Sequence, residues 1–148
     1  MGTPDIAPDT VHRGLHAELV SLVVRSFWLV DHGRAAEVAG FFAQDGLLTF
    51  GPGAPKPGAL RGPEIAAAMQ ARQDDAAATS RHVLSNFLVE PQADGRVEVR
   101  SLMTLFRTAT GDFSPTVRSV ADLVDTFVLQ DGSWRIVDRQ ILPIFGLA

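Results

Sequence analysis

Mostly apolar positions recur in the N-terminal part of the chain with the period of an α-helix. Counted from the first of them, they lie at offsets of 4, 7, 8, 11, 12 and 15: Leu15, Leu19, Leu22, Val23, Ser26, Phe27 and Val30. This spacing places them on one face of a helix. Asp9 or Thr10 can cap its start, and Gly33 stands where a left-handed residue would end it. The pattern predicts one long helix, preceded by a flexible tail at residues 1–9.

Shorter elements follow this helix. A second helix is expected from about Ala35 to Phe42 and a first strand at Leu47–Phe50. The segment Gly51–Ala59 is too rich in Pro and Gly for regular structure and is expected to form a loop over a pocket mouth. The sequence Gly-Pro-Glu at 62–64 then supplies a cap, a Pro at the first helical position and an acid in the first turn. It predicts a third helix that continues to about Arg72.

From Ser80 onward the pattern changes to the two-residue period of β-strands. Four strands are predicted, at about Ser80–Glu90, Arg96–Thr108, Arg118–Gln130 and Ser133–Ile141. The last two are separated by Asp131-Gly132, a strong signal for a tight hairpin. Helices followed by a run of strands indicate an α+β fold with a mostly antiparallel sheet, in a single domain over residues 10–148.

Composition narrows the class of protein. The chain has 148 residues, a net charge of -4 and no run of five like charges, which argues against a nucleic-acid partner. Cys is absent, and with it disulfides, thiolate metal sites and cysteine nucleophiles. Neither a signal peptide nor a membrane-spanning apolar segment of about 20 residues is recognisable, so we expect a cytoplasmic protein without a membrane partner.

Four segments, between Val11 and Pro143, resemble the SnoaL-like branch of the nuclear-transport-factor-2-like superfamily. They are FWLVDHGR at 27–34, FFAQDGLLTFG at 41–51, SRHVLSN at 80–86 and DGSWRIVDR at 131–139. Asp31 together with His82-x-x-x-Asn86 is similar to the Asp–His arrangement of scytalone dehydratase and hexachlorocyclohexane dehydrochlorinase. The resemblance implies a cone of three N-terminal helices packed on a curved sheet, an apolar pocket in its mouth, and a homodimer.

Members of this superfamily differ in function, so the fold alone does not choose the chemistry. They include ketosteroid isomerases, polyketide cyclases, epoxide hydrolases and the non-catalytic small subunits of ring-hydroxylating dioxygenases. The present sequence contains no Tyr. A tyrosine-held water or substrate carbonyl, as the dehydratase pattern would require, is therefore missing.

Asp31 and His82 are the candidate catalytic residues. Asp31 continues the apolar stripe of the first helix, so its carboxylate is expected to face inward, close to a helix C-terminus that disfavours negative charge. Both effects raise a carboxyl pKa unless a cation or donor compensates. His82 begins an alternation that places it on one strand face with Leu84, Asn86 and Leu88. A carboxylate bonded to one ring nitrogen would fix the tautomer of a general acid–base histidine. The alternatives are an exposed terminal Asp and a structural core His.

Other residues receive weaker assignments. The candidate pocket walls are Phe27, Trp28, Phe50, Leu84 and Phe127. Asn86 either orients a substrate oxygen or bonds a neighbouring strand, and Arg81 points to the face opposite His82. His12 and His16 have a spacing that can bind a metal, but no third ligand is apparent, so no metal or cofactor is expected.

The last hairpin raises a problem of charge. A two-residue turn at Asp131-Gly132 sets Asp125 directly opposite Asp138, an unfavourable pair. Three solutions are open at this point: a longer turn, compensation by Arg135 or Arg139, or protonation of one functional acid.

Three functions are compatible with these residues. The first is a cofactor-free dehydratase, isomerase or cyclase that acts on a small, apolar, oxygenated molecule through Asp31 and His82. The second is the non-catalytic small subunit of a ring-hydroxylating dioxygenase, with the large subunit as its partner. The third is a protein that binds a ligand without turnover.

Overall fold

The computed structural model describes residues 10–114 and 116–146, so the expected tail at residues 1–9 lies outside the described part. Its helices are α1 (Thr10–Asp31), a 3-10 helix (Ala35–Phe41) and α2 (Pro63–Asp74). Its strands are β1 (Phe42–Phe50), β2 (Gly58–Arg61), β3 (Ala78–Pro91), β4 (Val97–Ala109), β5 (Val117–Gln130) and β6 (Ser133–Gly146). None of the helices in these ranges is long and apolar enough to cross a bilayer.

The strands form one mixed sheet in the order β2-β1-β6-β5-β4-β3. All neighbouring strands are antiparallel except β1 and β6, which are parallel. The predicted α+β class, with three helices and a mostly antiparallel sheet, is confirmed. The prediction of an irregular loop over Gly51–Ala59 is partly wrong, because the end of this segment forms the beginning of β2, which pairs with β1. Four residues are too few for a periodic pattern to show in the sequence.

One face of the sheet packs against α1 and holds the core. Leu19, Val23 and Phe27 of α1 are buried, and they belong to the same apolar cluster as Leu123 and Phe127 of β5. Burial of each such side chain contributes about 1.5–3 kcal/mol. The helical stripe read from the sequence is therefore the face that fixes α1, and with it Asp31, on the sheet.

The last hairpin avoids the like-charge pair that the sequence predicted. The turn has two residues, Asp131 and Gly132, both with positive φ, and Gln130 pairs with Ser133. A register shift between Thr126 and Phe127 then moves the pairing by one residue, which is the signature of a β-bulge. The expected Asp125–Asp138 opposition is therefore wrong.

In the observed register Asp125 stands opposite Arg139 and forms a buried ion pair with it. Arg139 donates from Nε and Nη2 to the two carboxylate oxygens of Asp125, at 2.7 and 2.8 Å. It also donates from Nη1 to Oγ of Ser26 in α1, at 3.0 Å. The side chains of Asp125 and Arg139 are 0% and 4% exposed. The bulge, which was not among the three solutions considered above, removes the opposition and places Arg139 rather than Asp138 beside Asp125.

Candidate functional site

The end of α1 and the beginning of β3 bring Asp31 and His82 together. Nδ1 of His82 lies 2.7 Å from Oδ1 of Asp31, within the hydrogen-bonding distance that the sequence predicted. The side chain of His82 is 11% exposed and that of Asp31 is 4% exposed. Asp31 reaches this position because it is the last residue of α1 and continues the buried stripe of that helix. His82 reaches it because its side chain points to the helix-covered face of β3, next to the ring of Phe27.

The carboxylate of Asp31 accepts hydrogen bonds from several donors. Besides the ring of His82, Oδ2 accepts the backbone N–H of His82 at 2.6 Å and Oδ1 accepts the hydroxyl of Ser80 at 2.8 Å. Burial by itself raises the pKa of Asp31, but the hydrogen bonds and charge of His82, with the Ser80 hydroxyl, outweigh burial and hold this pKa below 3.8. The donors thus reverse the rise in pKa expected from burial alone.

The ionised carboxylate determines which nitrogen of a neutral His82 carries the proton. A carboxylate can only accept, so Nδ1 must donate, and in the neutral imidazole Nε2 is then left with a free lone pair. Nε2 has no hydrogen-bond partner among residues 10–114 and 116–146. The ring of Phe27 lies 4.9 Å from the imidazole, centroid to centroid. The arrangement presents one basic nitrogen beside an aromatic wall.

The lowered pKa of Asp31 makes stability depend on pH. Because the folded-state pKa lies below the ordinary 3.8, the stabilising contribution is fully present above that value and is lost as the pH falls through the folded pKa. We expect the difference in free energy of unfolding between the wild type and Asp31→Asn to shrink as the pH falls below about 4. Urea titrations at stepped pH values below about 5, under the ordinary range of imidazole titration, measure it, and a difference that grows over that range would contradict the assignment.

The site includes two further residues, Ser80 and Arg72, that the sequence interpretation missed. Ser80 is buried, and its hydroxyl accepts a hydrogen bond from Nη2 of Arg72 at 2.9 Å. Ser80 could have been found, since it precedes His82 by two residues and shares its strand face. Arg72 lies in α2 and gave no comparable signal. Arg81 was expected to point away from His82; it is exposed, and its Nη1 donates to the backbone oxygens of Asp31 and Ser80.

The candidate wall residues separate into different environments. Phe27 contacts His82, while Phe50 and Leu84 are partly buried against the core. Phe127 is 1% exposed and is a core residue. Trp28 is 63% exposed, and its ring stacks on that of His32 with 4.1 Å between the ring centroids, so it does not share the buried face of Phe27. Adjacent residues of a helix diverge by about 100° around its axis, which explains why Trp28 leaves the face of Phe27.

Asn86 and Leu88 do not share the inward face of His82, contrary to the sequence interpretation. A register shift between Ser85 and Leu88 inserts a bulge, and Asn86 takes a φ of 56° within it. Beyond the bulge, the side chains that pack on the core are Phe87 and Val89, while Asn86 and Leu88 are exposed. One inserted residue moves every following side chain to the opposite face.

Neither of two surface clefts formed by the described residues contains Asp31 or His82. The larger, about 620 Å³, is lined by polar residues: Gln44, Asp45, Gln130 and Asp131. The smaller, about 220 Å³, is lined by residues of α1 and of the segment after it: Arg25, Trp28, Leu29, Arg34, Glu37 and Phe41. The apolar pocket expected beside His82 therefore coincides with neither cleft.

His12 and His16 lie exposed on α1, and within the described residues no third ligating side chain joins them.

Comparison with solved structures places this fold among known ones. ActVI-ORFA from Streptomyces coelicolor is 21% identical, with 88% of this chain and 98% of that chain covered and a TM-score of 0.76. A protein of Novosphingobium aromaticivorans assigned as a scytalone dehydratase is 16% identical, with 93% and 87% covered and a TM-score of 0.73. Another from that organism, assigned as the beta subunit of an aromatic-ring-hydroxylating dioxygenase, is 16% identical, with 93% and 95% covered and a TM-score of 0.77.

These similarities show the fold alone. A structure assigned as an enzyme and a structure assigned as a dioxygenase subunit match this chain with similar TM-scores. No curated protein matches the sequence. The family model described as the SnoaL-like domain matches residues 15–140, which include α2 and nearly all of the sheet as well as both Asp31 and His82. The chain therefore belongs to the SnoaL-like domain family.

Proposed function

We propose that this protein is a cofactor-independent acid–base enzyme of the lyase, isomerase or cyclase type, with His82 as the proton-transferring residue. The observation that carries the proposal is the 2.7 Å contact between Oδ1 of Asp31 and Nδ1 of His82, in a nearly buried pair. Burial penalises the charged form of each group, so their contact explains how both are tolerated on the helix-covered side of β3. It also leaves Nε2 of His82 without a protein partner among the described residues.

The proposed chemistry begins with Nε2 of neutral His82. It takes a proton from a carbon next to a substrate carbonyl, which leaves an enolate and an imidazolium. Asp31, already ionised, stabilises the imidazolium without taking the proton itself. The imidazolium then returns the proton to another carbon in an isomerisation, or to a departing hydroxyl, which leaves as water in a dehydration. A positioned acid–base residue of this kind contributes about 10²–10⁴-fold to the rate.

The surroundings of His82 indicate the class of substrate. Phe27 lies against the imidazole, and Leu105 of β4 is its cross-strand neighbour. The carboxylate of Asp31 already accepts hydrogen bonds from Ser80 and His82 and is not a free anion for a cationic ligand. A small, largely apolar molecule that carries a carbonyl or hydroxyl group fits these surroundings best.

The test follows proton exchange at carbon. The protein is incubated in D₂O with a panel of cyclic ketones and β-hydroxy ketones, and the loss of the α-proton signal is recorded by NMR. We expect His82→Gln to slow the exchange of any responding ketone by about 10²–10⁴-fold, with the circular dichroism spectrum unchanged.

The matched control for this test is His32→Gln. His32 follows Asp31 directly, but it is exposed and its Nδ1 bonds the carbonyl oxygen of Trp28. We expect this variant to exchange protons at the wild-type rate. Exchange that survives in His82→Gln, or that disappears equally in both variants, would contradict the proposed role of His82.

A second candidate function is a non-catalytic one, as a dioxygenase small subunit or as a ligand-binding protein without turnover. It is favoured by the position of both clefts away from His82 and by the similarity to a structure assigned as a dioxygenase beta subunit. Purification from the native host tests the subunit form of this candidate, since an iron–sulfur large subunit would accompany the chain and colour the sample.

The sheet supports the further proposal of a homodimer. On β5, Leu123, Asp125 and Phe127 are buried under the helices, whereas Val124 and Val128 on the opposite face are only half-buried. An antiparallel sheet with one partly open face is a suitable surface for pairing with a second copy of the chain.

A further inference from the structure

We infer that Arg72 and Ser80 are positioning residues that fix the carboxylate of Asp31 and thereby select the Nδ1–H form of His82. The inference rests on the proposed function, in which that form exposes a basic Nε2. It adds a chain of hydrogen bonds that runs from α2 through β3 to the end of α1. Arg72 Nη2 lies 2.9 Å from Ser80 Oγ, and Ser80 Oγ lies 2.8 Å from Asp31 Oδ1.

The chemistry of the three groups gives this chain a single direction. A guanidinium has only donors, so the contact between Arg72 and Ser80 must use a lone pair of the hydroxyl. The single hydroxyl proton of Ser80 is then donated to Asp31. Without Arg72 the hydroxyl could rotate, and its proton would no longer be committed to the carboxylate.

The carboxylate of Asp31 is held at both of its oxygens. Oδ1 receives Ser80 and the ring of His82, and Oδ2 receives the backbone N–H of His82. Loss of the hydroxyl of Ser80 removes one of the two donors at Oδ1 in a nearly buried position, where a missing donor is poorly replaced by water. The carboxylate can then turn away from Nδ1, and the preference for the Nδ1–H form of His82 weakens.

The structure separates this role from that of a simple clamp between α2 and β3. α2 is anchored independently, because Ile65 is buried in the core and Gln73 accepts the backbone N–H of Ala36 at 3.0 Å. The backbones of α1 and β3 are also joined independently, through Arg81. Removal of the Arg72 or Ser80 side-chain contact should therefore leave the elements in place while the orientation of the carboxylate changes.

The test reads the tautomer of His82 directly and needs no substrate. ¹⁵N spectra of histidine-labelled protein are recorded at a pH of about 8.5, above the ordinary range of imidazole titration, and His82→Gln identifies the signals of His82. We expect the wild type to show Nδ1–H. Ser80→Ala and Arg72→Met are expected to show a mixture of both tautomers, and Ser80→Thr, which keeps the hydroxyl, to restore the wild-type spectrum. Arg96→Met, a change of an exposed arginine in the β3–β4 turn, is the control and should have no effect.

The outcomes distinguish the role of the Arg72–Ser80–Asp31 hydrogen-bond chain, here called the relay, from the proposed function on which it rests. A wild-type His82 in the Nε2–H form overturns both. A wild-type Nδ1–H form that persists unchanged in Ser80→Ala and Arg72→Met overturns the relay alone and leaves the proposed function standing. With a responding ketone, we expect Ser80→Ala and Arg72→Met to lower kcat by about tenfold with little change in KM, the size typical of a group that orients a histidine. Loss of stability without change in tautomer or kcat would show a merely structural role and overturn the inference.

Discussion

Replacing Asp125 by Asn is expected to lower the free energy of unfolding by about 3–5 kcal/mol. The carboxylate receives two hydrogen bonds from Arg139 and is fully buried. The asparagine keeps one oxygen that can accept from Arg139, but its NH₂ group opposes the other guanidinium N–H, and the buried positive charge loses its carboxylate partner. Urea denaturation followed by circular dichroism measures the loss.

Two controls isolate the buried charge as the cause. The double replacement Asp125→Leu with Arg139→Met removes both charges and is expected to recover most of the stability. The pair Arg34–Glu37 has similar two-point geometry, at 2.6 and 2.8 Å, but is exposed. Its loss in Glu37→Gln should change stability far less than Asp125→Asn does. Equal losses in Asp125→Asn and Glu37→Gln would refute the view that burial makes this pair costly to break.

Asp31→Asn is expected to reduce kcat on any substrate found by about 10⁴-fold with the fold intact, the effect known for the corresponding change in a serine-protease triad. The hydrogen bonds explain why. The backbone N–H of His82 can only donate, so the new side chain must keep its oxygen at the position of Oδ2. Its NH₂ group then faces Nδ1 of His82, which has to accept. The proton of the imidazole moves to Nε2, and the basic nitrogen is lost.

Steady-state kinetics and the ¹⁵N spectrum of His82 measure this change together. The matched control is Asp122→Asn, the same substitution at an exposed position of β5, which should leave both unaffected. Retention of more than about a tenth of the wild-type kcat in Asp31→Asn would argue that the carboxylate does not set the tautomer.

The sequence predicted the elements with long periodic patterns and the pair that interrupts them. α1 and strands β3 to β6 were expected near their observed positions, since apolar residues recur there over nine or more positions. Asp31 and His82 were recognised because each is a charged or titratable group on an apolar face. Arg72 was not, because the sequence of α2 shows no amphipathic pattern that would mark an inward-facing arginine, and Arg72 meets Ser80 only in the folded chain.

The errors about the face of Asn86 and the partner of Asp125 have one physical origin. A β-bulge adds a single residue, and the sequence pattern continues across it with no visible break. Asn86, which tolerates a positive φ, was a weak local sign of the first bulge; the second lies beside Thr126, where nothing in the composition marks it. The pattern also cannot separate a residue that faces a pocket from one that faces the core, and Phe127, a candidate for the pocket wall, lies in the core.

The ring of Phe27 contacts both the buried ion pair and the candidate site. The guanidinium of Arg139 lies 4.7 Å from the centre of its ring, and the imidazole of His82 lies 4.9 Å from that centre. The ring's electrons attract a cation, so an imidazolium formed in turnover would compete with Arg139 for one aromatic ring. The stability of the fold and the proposed turnover would therefore depend on the same ring. An engineer who replaces the ion pair by apolar residues to gain thermostability will alter the electrostatic environment of His82 without touching a residue bonded to it.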